Sequence, residues 1–196
     1  MRSPRFARLA GTGLAGLIAA LAMAAPASAA ALCAGKETQP FTPWGDFNLY
    51  DLAPNGALES TNGWTLTGGA ALVKGSEPFA VTGRLGQYSL SIPAGATATS
   101  PEICLDATRP TFRFFGRADQ GAAASLRADA VAARPAQSVA LGSVTGTTAW
   151  APVAPMATGT SDLVLGSKGT VAVRLRFTAS SAWQIDDLYV DPRKMG

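Results

Sequence analysis

The chain has 196 residues, of which 47% are hydrophobic and 15% charged, with 16 Lys and Arg against 13 Asp and Glu, two cysteines and no histidine. The missing histidine excludes Ser-His-Asp and Cys-His catalytic arrangements and any imidazole metal site. The net charge of +3 resides in the first eight residues, because Arg2, Arg5 and Arg8 account for the whole excess. The remainder of the chain is formally neutral, so no net positive field supports binding to nucleic acid.

Those three arginines precede an apolar stretch from about Leu9 to Ala24, then Pro26 and the small residues Ala27-Ser28-Ala29. This is the pattern of a secretory signal peptide cleaved near Ala29, which gives residues 1–29 as leader and 30–196 as one secreted domain. The apolar stretch is short for a membrane span, and no later segment reaches the roughly 18 to 20 apolar residues that one needs, so no membrane insertion is expected. An exported domain with two cysteines predicts a Cys33–Cys104 disulfide. A loop of about 70 residues closed in this way would stabilise the fold by up to about 4 kcal/mol. The domain is taken as a monomer.

From Phe41 onward, short apolar runs alternate with turn residues. Residues 41–50, 63–73, 87–93, 110–118, 170–180 and 183–190 read as strands. Alternation is clearest near the end, where Val171, Val173, Leu175 and Phe177 point one way and Ala172, Arg174, Arg176 and Thr178 the other. Half-buried strands of this kind belong to antiparallel sheets, and Gly and Pro supply the turns between them. One stretch conflicts with the rest. Residues 120–140 are Ala-rich, which favours a helix ending before Pro135, yet Leu126, Ala128 and Ala130 alternate with Arg127, Asp129 and Val131. Strand is the preferred reading, and the fold class is an all-β antiparallel β-sandwich.

Two segments carry a resemblance. "NGALESTNGWTLTGGAALV" (55–73) and the closing "WQIDDLYV" (183–190) resemble the ends of jelly-roll carbohydrate-binding modules, within the wider group of galactose-binding-like sandwiches. Leu58 stands where those modules usually have Phe. The chain also resembles a group of secreted bacterial proteins sharing "PWGD", "GSEP", "SP.IC", "RFF.R" and "RFT" blocks, a likeness that implies no activity. The first resemblance implies a jelly roll and a structural Ca²⁺ joining the first and last strands, with Glu59 and Asp186 or Asp187 as matching ligands. Calcium accepts six to eight hard oxygen donors in irregular geometry. Since a strand sends neighbouring side chains to opposite faces, one Asp of the pair is expected to reach the ion.

The candidate ligand-binding set is Arg113, Phe115 and Arg117 on one face of 110–118, with Arg174 and Arg176 on the polar face of 170–180. If these strands are neighbours, four guanidinium groups and a ring line one surface suited to sugar hydroxyls or uronate carboxylates. The alternative is an outer face paired internally, with Asp129 among the partners. Of the four tryptophans, any that is exposed is a candidate sugar platform. The function read from these features is a secreted, non-enzymatic module binding an extracellular polysaccharide or cell-envelope component. The other reading is a structural or protein-interaction module with no glycan ligand.

Overall fold

The computed structural model describes residues 35–191; the leader and Cys33 lie outside them. Cys104 is buried and is not a free thiol. Among the described residues fourteen strands run in chain order: β1 (Glu37–Thr38), β2 (Tyr50–Leu52), β3 (Thr65–Thr67), β4 (Ala71–Lys74), β5 (Tyr88–Ile92), β6 (Thr97–Thr99), β7 (Ile103–Asp106), β8 (Thr111–Ala118), β9 (Ser125–Ala133), β10 (Ala136–Thr145), β11 (Ala151–Pro152), β12 (Met156–Ala157), β13 (Thr170–Ala179) and β14 (Trp183–Val190). Every pairing is antiparallel. The strands form an eight-stranded and a six-stranded sheet, and no helix among the described residues is long and apolar enough to cross a membrane.

The chain is therefore an antiparallel β-sandwich. In the second sheet β10, β9 and β13 lie side by side, and β13 then pairs with β7 at one end and β6 at the other, with β3 beyond β6. Val171, Val173, Leu175 and Phe177 of β13 face the core, as do Leu126, Ala128, Ala130 and Ala132 of β9. The Ala-rich stretch is thus mostly strand. Its alanines are small and share the core with Phe112 and Phe114 of the opposite sheet and Phe177 of the adjacent strand, and that packing outweighs their helix propensity.

Two expected strands need correction. Residues 41–50 contain a single 3₁₀ turn, Thr42–Trp44, closed by Gly45 at φ 78°, and strand begins only at Tyr50. Residues 63–73 are two short strands separated by Gly68 and Gly69, both at positive φ. These strands belong to different sheets, so the Gly-Gly pair carries the chain across the sandwich.

The first sheet is built around β14. β8 lies along one side of it for its full length. On the other side β5 accompanies Trp183–Ile185, and β2 takes over at Tyr189. The exchange occurs at a β-bulge where Asp187 adopts φ 46°. Ile185 and Leu188 both face the core, which is possible only because the bulge inserts a residue between them. The loop after β2 docks here, with the Ala53 N–H donating to Leu188 O and the Leu188 N–H to Gly56 O. A Cβ at Gly56 would lie 2.5 Å from Leu188 O, so this approach requires glycine.

The outer face of the first sheet carries a second apolar cluster of Phe41, Tyr50, Phe115 and Tyr189 beneath the segment leading into β2. A buried ion pair ties that segment down. Arg113 Nη1 donates to Asp46 Oδ2 at 2.6 Å, Arg113 Nε donates to Val153 O, and the guanidinium lies 4.2 Å from the centre of the Phe41 ring. Asp46 also accepts from the Tyr50 hydroxyl and the Asn48 N–H. Burial alone would raise the Asp46 carboxyl, but these donors outweigh it and hold the group below its usual range.

Two outcomes are expected. Phe177→Ala, which removes a ring touching Trp64, Phe112 and Phe114, should cost about 3–5 kcal/mol in urea unfolding; a loss under about 1 kcal/mol would contradict the packing described. Asp46→Asn should cost about 3 kcal/mol at neutral pH by leaving Arg113 without its counter-charge. Because the folded Asp46 pKa is depressed, its contribution is complete above the ordinary carboxylate value and disappears as pH falls through the folded value. The gap between wild type and variant should therefore narrow from pH 6 to pH 3. An equal gap at both would show that the Asp46 charge contributes nothing.

Candidate functional site

The bulge gathers acidic residues from three places in the chain. Glu59 comes from the loop after β2, Glu77 from the segment between β4 and β5, and Asp186 and Asp187 from β14. Asp186 is consumed locally. Its Oδ2 accepts from Ser76 Oγ at 2.7 Å and the Glu77 N–H at 3.1 Å, and its Oδ1 from the Asp187 N–H at 2.9 Å. Glu77 is 1% exposed and accepts from the N–H groups of Phe79 and Val81, which curls its own loop around it. Glu59 Oε1 accepts from the Gln87 and Tyr88 N–H groups. Gly86 is fixed by the same contact, since a Cβ there would meet Glu59 Oε1 at 2.5 Å.

Asp187 is also buried, at 4% exposed, but it is the member of the pair that reaches a cleft wall. With Glu59 it lines a cleft of about 210 Å³ whose walls include Leu52, Thr82, Arg84 and Gly86. The left-handed backbone at Asp187 explains why both aspartates can lie on the outer side of the strand: the bulge breaks the alternation that would otherwise send one of them into the core. Among the described residues, none of these four carboxylates forms an ion pair with a basic side chain. Burial raises Asp186 to about 6. Asp187 is pushed up further by burial and then by the charges of Asp186 and Glu77, with a hydrogen bond to Glu77 and the charge of Glu59 adding to it.

In donor type and charge this set fits a hard dication. Among the described residues, however, no three acidic, Cys or His side chains converge closely enough to hold one ion. Sequence reasoning singles out Glu59, Asp186 and Asp187 but gives Glu77 no place beside them. Its signal is the "GSEP" block, in which Ser76 and Glu77 together bind the Asp186 carboxylate.

The five residues expected to share one ligand surface do not share one. β8 belongs to the first sheet and β13 to the second, so Arg113 and Arg117 are separated from Arg174 and Arg176 by the thickness of the sandwich. Arg113 is buried in its pair with Asp46. Phe115 is wholly buried, beneath Trp44 and Phe79. Neither presents a surface to a ligand. Arg117 is partly exposed, donates to Gln184 Oε1 and lies 5.6 Å from the Trp150 ring centre. On the second sheet Arg176 and Arg127 both donate to the buried Asp129 carboxylate, and Arg174 pairs with Glu102 at 3.6 Å.

The tryptophans divide between core and surface. Trp64 and Trp183 are buried, Trp150 is intermediate, and Trp44 is 38% exposed. Trp44 meets Phe79, itself 40% exposed, edge to face at 4.8 Å. Both rings rest on Phe115, which in turn stacks on Phe41 at 5.3 Å. The exposed pair is therefore held on a rigid aromatic base.

No protein-family model matches the chain, and no curated protein matches its sequence. Solved structures similar to it include the C-terminal family 6 carbohydrate-binding module of a laminarinase from Zobellia galactanivorans, at 11% identity over 62% of this chain and 87% of that one, with a TM-score of 0.43. The xylan-binding CBM22-1 domain from Paenibacillus barcinonensis is 14% identical over 70% of this chain and 90% of that one, with a TM-score of 0.45. A family 61 module in complex with β-1,4-galactotriose is 13% identical over 72% and 97%, with a TM-score of 0.42.

Proposed function

We propose that the chain is a secreted, non-catalytic module that binds carbohydrate through the Trp44–Phe79 pair, and that the acidic bulge is a structural calcium site. The exposed aromatic pair carries this reading. Two large rings, each more than a third exposed and fixed from below by buried Phe115, offer an apolar surface to the C–H face of a sugar at little entropic cost. Arg117 beside Trp150 supplies hydroxyl-directed donors on the same sheet face. Against catalysis stand the absence of histidine from the chain and the use of the clustered carboxylates as hydrogen-bond acceptors within the protein.

Glu59 and Asp187 would hold the ion, with Asp186 and Glu77 shaping the loops around it. A bound Ca²⁺ would supply the positive charge that the four carboxylates lack. The protein residues do the rest: Asp186 fixes the bulge, Glu77 fixes its own loop, and Gly86 leaves room for Glu59.

Each half of the reading has its own measurement. A calcium site with a dissociation constant of about 10 μM would add about 2.7 kcal/mol in 1 mM Ca²⁺. That is a rise on the order of 5–10 °C in melting temperature over an EDTA-treated sample. Asp187→Asn should abolish the rise, whereas Asp186→Asn should destabilise the protein in both conditions. An equal melt with and without calcium would leave the cluster as a proton-sharing carboxyl group with no ion. For the ligand, retention on insoluble and soluble polysaccharides should fall at least tenfold in Trp44→Ala and Phe79→Ala, with the strand-rich circular-dichroism spectrum of the folded protein retained. Failure of wild type to be retained on plant, fungal or bacterial glycans would instead favour a protein-interaction module.

A further inference from the structure

Two Asn-Gly pairs lie close together in the chain, Asn55 with Gly56 and Asn62 with Gly63, and the fold treats them in opposite ways. An asparagine followed by glycine is open to attack on its side-chain carbonyl carbon by the next backbone nitrogen, because glycine has no Cβ to block the approach and its backbone turns freely. At the first pair both reacting groups are held. Asn55 Nδ2 donates to Ser60 O at 2.6 Å and to Asn62 O at 3.0 Å, and Asn55 Oδ1 accepts from Ser60 Oγ at 3.3 Å. The Gly56 N–H donates to Ala53 O at 2.7 Å, and Gly56 is buried against Leu188 O.

At the second pair neither reacting group is held. Asn62 and Gly63 are both exposed, at the tip of a turn closed by the Trp64 N–H donating to Thr61 O at 3.0 Å. Among the described residues, neither the Asn62 carboxamide nor the Gly63 N–H has a hydrogen-bond partner. Asn62 is fixed only through its backbone, whose N–H donates to Ser60 Oγ at 3.4 Å and whose carbonyl accepts from Asn55. Swinging its side chain onto the Gly63 nitrogen therefore disturbs surface hydrogen bonds alone, while the Trp64 ring stays anchored by its Nε1–H on Asn55 O. Such a motion belongs with the low-energy local openings of exposed loop tips. The same swing at Asn55 would break the three bonds of its carboxamide and pull Gly56 away from β14.

We propose that Asn62 is a site of spontaneous covalent modification, which converts to aspartate and isoaspartate through a succinimide in the folded protein, while the fold preserves Asn55. Hydroxide takes the Gly63 N–H proton, the nitrogen forms a bond to Asn62 Cγ, and the Cγ–Nδ2 bond breaks with release of ammonia, which takes its proton from water. Water then opens the ring. Attack at Cγ gives aspartate, and attack at the Asn62 backbone carbonyl carbon gives isoaspartate, with the chain continuing through Cγ. One water is consumed and one ammonia released, with no redox change. Either product adds a negative charge to a formally neutral domain. That charge arises beside Gly63 O, which Arg174 Nη1 approaches at 3.4 Å. The other contacts of this guanidinium are loose, with Ser100 O at 3.4 Å and Glu102 at 3.6 Å, so a basic partner stands ready for the new carboxylate.

The experiment is incubation of the mature chain in mildly alkaline buffer over several weeks, with and without urea, followed by peptide mass mapping that separates aspartate from isoaspartate. In the folded protein the amide-to-acid mass gain should accumulate at Asn62 at least tenfold faster than at Asn55, and urea should bring the two sites to comparable rates. Asn62→Gln, whose longer side chain cannot close the five-membered ring, should remove the conversion at this position and leave Asn55 as slow as in wild type. Asn62→Asp should coincide with the aspartate product on ion exchange. An Asn62 that converts only in urea, or an Asn55 that converts as fast as Asn62 in the folded protein, overturns the proposal.

Discussion

The exchange of partners along β14 is the constraint on which the rest of the first sheet depends. A strand flanked by β5 at one end and β2 at the other needs a place where the hydrogen-bonding ladder can break, and the Asp186–Leu188 bulge is that place. The adjacent acids result from it. Asp186 ties down the segment between β4 and β5 by accepting from Ser76 and Glu77, while the left-handed Asp187 lets Leu188 return to the core. Gly56 must approach the same point from the other side, so the "NG" near the start and the "DD" near the end are two halves of one junction.

That junction also explains where charge is tolerated. The first sheet brings acids together with no basic partner among the described residues, a costly arrangement at any buried position. The second sheet does the reverse. Asp129, nearly inaccessible, receives both Arg127 and Arg176, so each arginine of the pair has an acidic partner within the sheet. Such pairs contribute modestly to stability when exposed, but they occupy the planar forks that an anionic ligand would need.

The second sheet is easy to read from sequence and the first sheet difficult. β13 and β9 show period-two alternation because one face of each meets the core and the other meets water, and this survives even in the Ala-rich run. The alternation of β8 assigns its faces correctly: Phe112 and Phe114 enter the main core and Phe115 the outer cluster. What the alternation does not convey is that the outer face is covered. Phe41 and Trp44 lie about 70 residues from Phe115 in the chain, and nothing local to "TFRFFGRA" announces the segment that buries it. Membership of β8 and β13 in different sheets is likewise a non-local fact, and with it the expected four-arginine surface dissolves. The acidic site is legible in part, because Glu59 and the Asp pair stand in recognisable end segments. Glu77 stands within a turn, where a lone carboxylate has no pattern.

The covering segment changes the chemistry of the first sheet's outer face. Arg113 would be the strongest polar contact on the first sheet if it were free, yet Asp46 and the Phe41 ring enclose it. Burying that charge is sustainable only because each side of the guanidinium is met: a carboxylate at 2.6 Å, the Val153 carbonyl at 2.9 Å and an aromatic face at 4.2 Å. The same enclosure presses Phe41 onto Phe115 and so raises Trp44 and Phe79 to the surface. An arginine that sequence would place on an exposed surface therefore lies one layer below it, turning a polar strand face into an aromatic one. The outer face of the first sheet is thereby aromatic rather than charged, with Trp44 and Phe79 as its exposed rings.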